Sequence, residues 1–160
     1  MSNILVAYFS ATGRTRKVAD SLAEAADADL YEIRPQVPYS KGDLNWRDVT
    51  SRSTIEMRNM LSRPKLADLT ADIVSHDVIL LGFPIWWYVA PTIINTFLES
   101  YDFSGKRIIL FATSGGSGFG ETLTGLKESV PVTVSMDEGK LLKYGRTAED
   151  LKSWIDSLGI

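Results

Sequence analysis

Residues 9–15, FSATGRT, gather three hydroxyl side chains, Ser10, Thr12 and Thr15, around Gly13, directly after the apolar run Ile4 to Phe9 and where a helical pattern begins. A plain connection needs only a turn residue or two. Backbone N–H groups at a helix start lack intrahelical acceptors and carry a partial positive charge, so an anion placed there is stabilised before any side chain contributes. The three hydroxyls can donate to phosphate oxygens, Gly13 lets backbone approach closely, and Arg14 adds charge or points to solvent. The segment lacks the G-x-x-x-x-G-K-[ST] spacing and its lysine, which argues against a nucleoside triphosphate with magnesium. The competing reading is that Thr12 merely caps the helix behind a tight turn.

Two further stretches are chemically unusual. PIWWYVAP (84–91) sets Trp86, Trp87 and Tyr88 in a row between two prolines. Three adjacent aromatics cannot all face a core, so at least one is expected at an exposed edge where a planar ring system can stack. TSGGSGFG (113–120) carries so little side chain that its bare N–H groups can face the edge of a flat polar ligand. Its glycines do not satisfy G-x-G-x-x-G. Ordinary packing of the tryptophans and a flexible glycine turn are the bland alternatives. Together the three stretches describe a ligand with a phosphate, an aromatic plane and a hydrogen-bonding edge, and flavin mononucleotide (FMN) has all three parts.

These stretches need a scaffold that brings them together. Short apolar runs alternate with helix-period segments: strands at 4–9, 30–34, 78–83, 107–113 and 132–135, and helices at 15–26, 50–61, after Pro91, near 121–129 and at 147–158. VILLGF and RIILFAT are apolar without alternation, as expected of central parallel strands covered on both faces. Five strands alternating with about five helices predict a parallel sheet with helices on both faces. Ligands of such sheets bind beyond the carboxyl ends of the strands, and the three stretches follow the first, third and fourth strands.

Composition bounds the rest. The chain has 160 residues, 44% of them hydrophobic, which suits one domain over 1–160. Seventeen basic against twenty acidic residues give a net charge of −3 with no basic block, so nucleic acid is an unexpected partner. There is no cysteine, which removes disulfides, thiolate nucleophiles and cysteine-ligated metal centres. His76 is the only histidine, so no metal site is expected and that side chain is read as structural. Without a signal peptide or an apolar stretch of membrane-spanning length, a cytoplasmic protein is expected, and no membrane partner. The segment 36–48 reads as a solvated loop with Trp46 buried; the alternative is that Tyr39, Lys41 and Trp46 shape a pocket beside the ligand.

FSATGRT, PIWW, LESYDFSGKRI and TSGGSG resemble the flavodoxins, in particular a branch of short bacterial flavoproteins, and the similarity runs from Ile4 to about Leu126. The resemblance implies a three-layer αβα sandwich with a five-stranded parallel sheet of order 2-1-3-4-5 and non-covalently bound FMN. Carried over, Ser10, Ala11, Thr12, Gly13, Arg14 and Thr15 would hold the phosphate. Pro84, Ile85, Trp86, Trp87 and Tyr88 would lie along the isoalloxazine, and Ser114, Gly115, Gly116, Ser117 and Gly118 would reach its pyrimidine side. The branch commonly reads PIWWG, whereas Tyr88 stands here in the glycine position. The resemblance implies a peptide beside flavin N5 that turns over on reduction; tyrosine raises the cost of a left-handed backbone by about 1 kcal/mol or somewhat more, which predicts weak stabilisation of the one-electron-reduced flavin.

Two functions follow from these expectations. One is an electron carrier docking redox partner proteins; the other is an oxidoreductase passing hydride from NAD(P)H through FMN to a quinone or similar small acceptor. An FMN-binding module without turnover is a third. None requires a catalytic acid or base. The chain is expected to be a monomer or a homodimer.

Overall fold

The structure is a computed structural model that describes residues 3–114, 118–142 and 147–160. Five parallel strands, β1 (Ile4–Tyr8), β2 (Asp29–Glu32), β3 (Val78–Pro84), β4 (Arg107–Thr113) and β5 (Ser135–Leu141), form one sheet in the order β2-β1-β3-β4-β5. The helices α1 (Arg14–Ala26), α2 (Arg52–Arg58), α3 (Thr92–Ser100), α4 (Thr122–Lys127) and α5 (Ala148–Ser157) alternate with them. This is the flavodoxin-like α/β arrangement.

Strand side chains alternate between the two faces, and the sheet divides the core accordingly. Leu5, Ala7, Ile79, Leu81, Ile108 and Leu110 pack on one side with Ile93, Ile94 and Phe97 of α3. Val6, Tyr8, Leu80, Ile109 and Phe111 pack on the other with Val18 and Leu22 of α1 and Leu151 and Ile155 of α5. The strand order reverses beside β1 and β3, so the loops after these two strands open on the crevice where ligands of such sheets bind.

The fifth strand differs from the sequence expectation of 132–135. Val132 is fully exposed, and the Val134 N–H closes a turn onto the Pro131 carbonyl at 3.1 Å. Pairing begins at Ser135 opposite Arg107 and ends at Leu141 opposite Ala112. VTV has the stronger strand propensity, but SMDEGKL lies at the sheet margin, where polar and charged residues guard an open edge. The second strand likewise starts one residue earlier and ends two sooner than expected, and α2 is shorter at both ends, bounded by Ser51 and the extended Asn59.

Candidate functional site

The β1–α1 loop turns at Gly13, whose φ of 93° is a left-handed conformation. A Cβ there would meet nothing within 4 Å, so glycine serves the backbone angle rather than close packing against the protein. The Gly13 N–H donates to Ser10 Oγ at 3.0 Å, which folds the loop onto itself. No side chain caps α1, as none caps α3 or α4, whereas Ser51 and Thr147 accept from Thr54 and Asp150 N–H groups at the starts of α2 and α5. Thr12 is therefore not a cap: its side chain is exposed at the uncapped helix start, and Arg14 is exposed beside it. Thr15 is buried, with its hydroxyl 2.8 Å from that of Thr113 at the end of β4.

Thr113 joins all three loops, since its carbonyl also accepts from the Ile85 N–H at 2.9 Å. Pro84 closes β3 opposite Thr113. Beyond Ile85, Trp86 and Val89 exchange both backbone hydrogen bonds, at 2.9 and 3.1 Å, around a two-residue turn. Its central residues, Trp87 and Tyr88, have φ of 49° and 64°. Two positive φ values mark a type I′ turn, which ordinarily takes Asn and Gly. Two aromatics in left-handed conformations therefore strain this loop at the site itself, at about 1–2 kcal/mol each. Both are exposed, whereas Trp86 is half-buried.

The glycine-rich loop braces the turn from behind. The Glu121 N–H donates to the Tyr88 carbonyl at 3.2 Å, and a Cβ on Gly120 would stand 2.4 Å from that oxygen. Gly118 is exposed, and Ser114 is half-buried just beyond β4. Gly115, Gly116 and Ser117, expected to complete this part of the site, lie outside the described residues.

Four further residues contribute, of which the sequence singles out only Tyr39, as one of two readings of the 36–48 segment. Phe9 and Tyr39 meet Trp86 edge-on, with ring centroids 5.9 and 5.5 Å away, and fix the plane of its indole. Thr113 and Gly120 tie the loops together. Phe9, Thr113 and Gly120 lie at the ends of the FSATGRT and TSGGSGFG stretches but carry no role in the sequence reading. Tyr39 donates to a Glu56 carboxylate oxygen, Arg52 binds the other oxygen at 3.0 Å, and the Arg52 guanidinium lies 3.9 Å over the Tyr39 ring. Burial, and then the Glu56 carboxylate, push the Tyr39 phenol well above its ordinary range, so it stays neutral. Trp46, expected to be buried, is 62% exposed: Tyr39, seven residues beyond the end of β2, takes the inward place, and Trp46 stacks with the Arg47 guanidinium 5.0 Å from its ring.

The site thus combines an uncapped, hydroxyl-bearing helix start with an aromatic turn on the same edge of a doubly wound parallel sheet. Among the described residues no group of three or more His, Asp or Glu could hold a metal ion, and no helix is long and apolar enough to cross a membrane. The fold defines a protein of the doubly wound, flavodoxin-like α/β class, with the candidate site at its switch point. A family model described as flavodoxin matches residues 3–158, and the chain belongs to the flavodoxin family. A crystal structure of a candidate flavoprotein from Bacteroides uniformis is 45% identical, covering 97% of this chain and 98% of that one, with a TM-score of 0.90. Another from Bacteroides eggerthii is 43% identical over 100% and 99% of the two chains, also at 0.90. A Lactobacillus acidophilus flavoprotein in complex with FMN shares the fold at 21% identity, 97% and 99% coverage and a TM-score of 0.70. No curated protein matches the chain.

Proposed function

We propose that this protein is an FMN-dependent electron carrier. FMN is the cofactor that the family and the donor set fit. The uncapped start of α1 offers its N–H groups and the hydroxyls of Ser10 and Thr12 to a phosphate, and the Trp86–Val89 turn offers aromatic surface to the ring system. When bound, FMN supplies the redox chemistry, and the chain positions it and sets its electrostatic surroundings. The observation that carries the reading is the exposure of Trp87 and Tyr88 on a strained turn. A ring held against such a turn stays close to the surface, where a partner can approach without entering a deep pocket.

The test is to load purified protein with FMN, remove oxygen and add NADH or NADPH. The carrier reading expects the flavin absorbance to persist for minutes, while photoreduction bleaches it. Rapid bleaching by either nucleotide would replace the carrier by a hydride-accepting oxidoreductase. Failure to bind FMN would remove both.

A further inference from the structure

The chain between β2 and β3 makes a long excursion whose character differs from the rest of the protein. Residues 36–65 carry six basic side chains against three acidic ones, whereas the remainder carries eleven against seventeen. A net negative chain therefore holds a net positive segment. Its acids are engaged locally: Glu56 with Arg52 and Tyr39, Asp43 with the Ser40 N–H, and Asp48 with Thr50. Lys41, Arg47 and Arg58 are exposed, and none lies within ion-pairing distance of a carboxylate among the described residues. Trp46, Val49 and Ile55 are more than half exposed between them. Aromatic and aliphatic surface interleaved with arginine is the composition of a protein-binding patch, not of a solvated loop.

The excursion also sits beside the site. Tyr39 packs against Trp86 at the start of the β3–α3 loop, and the Ser62 hydroxyl lies 2.9 Å from that of Thr92 at its end. Both flanks of the aromatic turn are thus bordered by this basic segment. Two occupants are conceivable by charge, a small anion or an acidic protein. The exposed apolar side chains decide between them: a small anion would leave Trp46, Val49 and Ile55 in water, whereas a protein surface covers them.

We propose that the 36–65 excursion is the docking surface for an acidic redox protein. The partner covers Trp46, Val49 and Ile55, sets carboxylates against Lys41, Arg47 and Arg58, and exchanges electrons with FMN past Trp87 and Tyr88. The electron-transfer part rests on the carrier reading; the docking part does not. Complementary charge of this kind steers association and orients the encounter, and salt weakens it.

A plant-type [2Fe–2S] ferredoxin serves as the acidic probe. In stopped-flow mixing, one electron passes from the reduced iron–sulfur cluster to oxidised FMN in the loaded protein. The rate is expected to fall about threefold or more as ionic strength rises from about 10 to about 300 mM. The triple variant Lys41→Glu, Arg47→Glu, Arg58→Glu is expected to lose that fall. A rate that rises with salt, as two net-acidic proteins dictate on their own, would overturn the proposal, as would a triple variant that keeps the wild-type dependence. Amide shift mapping with oxidised ferredoxin reads docking without electron flow, so it remains informative if the carrier reading fails. Perturbations confined to 36–65 and the 86–89 turn support the surface, and perturbations elsewhere remove it. Attraction of ferricyanide without any of ferredoxin would mark a small-anion site and likewise reject the docking of a protein.

Discussion

The two edges of the sheet are built on opposite principles. At the amino edge, polar groups are paired within the protein: Asp72 accepts from the Ser75 N–H and hydroxyl and Asp102 from the Ser104 N–H within their own turns, and the Asp77 N–H donates across to the Asn3 carbonyl ahead of β1. Buried His76 is held at both ring nitrogens, 2.6 Å from the Asp72 carbonyl and 2.7 Å from Asp29 Oδ2. At the carboxyl edge, a thirteen-residue helix starts without a side-chain cap and two consecutive aromatics hold positive φ. The amino edge has one left-handed residue of its own, Asp27 with φ of 50°, but its N–H closes α1 onto the Glu24 carbonyl and aspartate tolerates the conformation; the carboxyl edge leaves donors and two left-handed aromatics for something else to resolve. Such local departures from good backbone chemistry persist where the surrounding structure enforces them, and they cluster at ligand sites.

The largest expected effect tests the unsatisfied edge directly. In Ser10→Ala/Thr12→Ala, the two hydroxyls offered to a phosphate dianion at the uncapped helix start are lost, at about 1.5–3 kcal/mol for each bond to a charged group. FMN affinity is expected to fall by about two orders of magnitude or more, read by fluorescence titration. Ser10 Oγ also accepts from the Gly13 N–H, so the apoprotein should lose a little stability as well. An affinity change under about threefold would mean that the uncapped helix start does not bind the phosphate.

Next in size is the brace between the glycine-rich loop and the aromatic turn. In Gly120→Ala, the new methyl group would stand 2.4 Å from the Tyr88 carbonyl oxygen at a φ of 55°, and both the steric clash and the backbone angle oppose it. Overpacking of this kind costs about 1–3 kcal/mol. It should appear as a shifted Trp fluorescence of the apoprotein and about tenfold weaker FMN binding. Unchanged binding with lowered stability would separate the brace from the site.

The matching test of the amino edge is His76→Gln. Loss of a buried, doubly bonded imidazole should lower stability by about 1–3 kcal/mol and leave FMN affinity unchanged. Burial pulls the His76 pKa down, but the hydrogen bonds to the Asp29 carboxylate and the Asp72 carbonyl outweigh it and leave the value raised above 6.5. The protonated form is therefore the better bound in the folded state. Its contribution to stability is complete below about 6.5 and is lost as pH rises through the raised value. Thermal midpoints of the wild type should fall over that interval, and those of the glutamine variant should not show the step.

How much of this was legible in the sequence depended on the kind of information each feature carries. The central strands β1, β3 and β4 are continuous apolar runs, and their placement follows from burial alone; β5 is polar and at the margin, where the β-branched VTV drew attention away from the segment that pairs. The candidate site residues in contiguous motifs, Ser10 to Thr15 and Pro84 to Tyr88, stood out because unusual chemistry is packed into a few positions. Tyr39 was legible only as one of two readings of the 36–48 segment, because its place is decided by contacts with Phe9 and Trp86, which are distant in the chain. Trp46 was misplaced for the converse reason: hydrophobicity predicts burial on average, and a surface patch is an exception to it.

The smallest expected effect concerns Tyr88, the residue that departs most plainly from the chemistry of its turn. A left-handed tyrosine costs about 1–2 kcal/mol, and glycine removes that cost while adding about 0.5–1 kcal/mol of unfolded-chain entropy. Because the side chain is 63% exposed, little packing is lost with it. Tyr88→Gly should therefore stabilise the apoprotein by about 0.5 kcal/mol or somewhat more, read by urea denaturation. The same change frees the turn to adopt a second backbone conformation, so spectroelectrochemical titration should show a wider separation between the first and second midpoint potentials of bound FMN. If stability rises and the separation does not move, the conformational constraint lies with Trp87, the other left-handed residue, and Trp87→Gly should then widen it. If neither glycine variant stabilises the apoprotein, the carboxyl edge is not strained and the contrast with the amino edge reduces to the missing cap on α1.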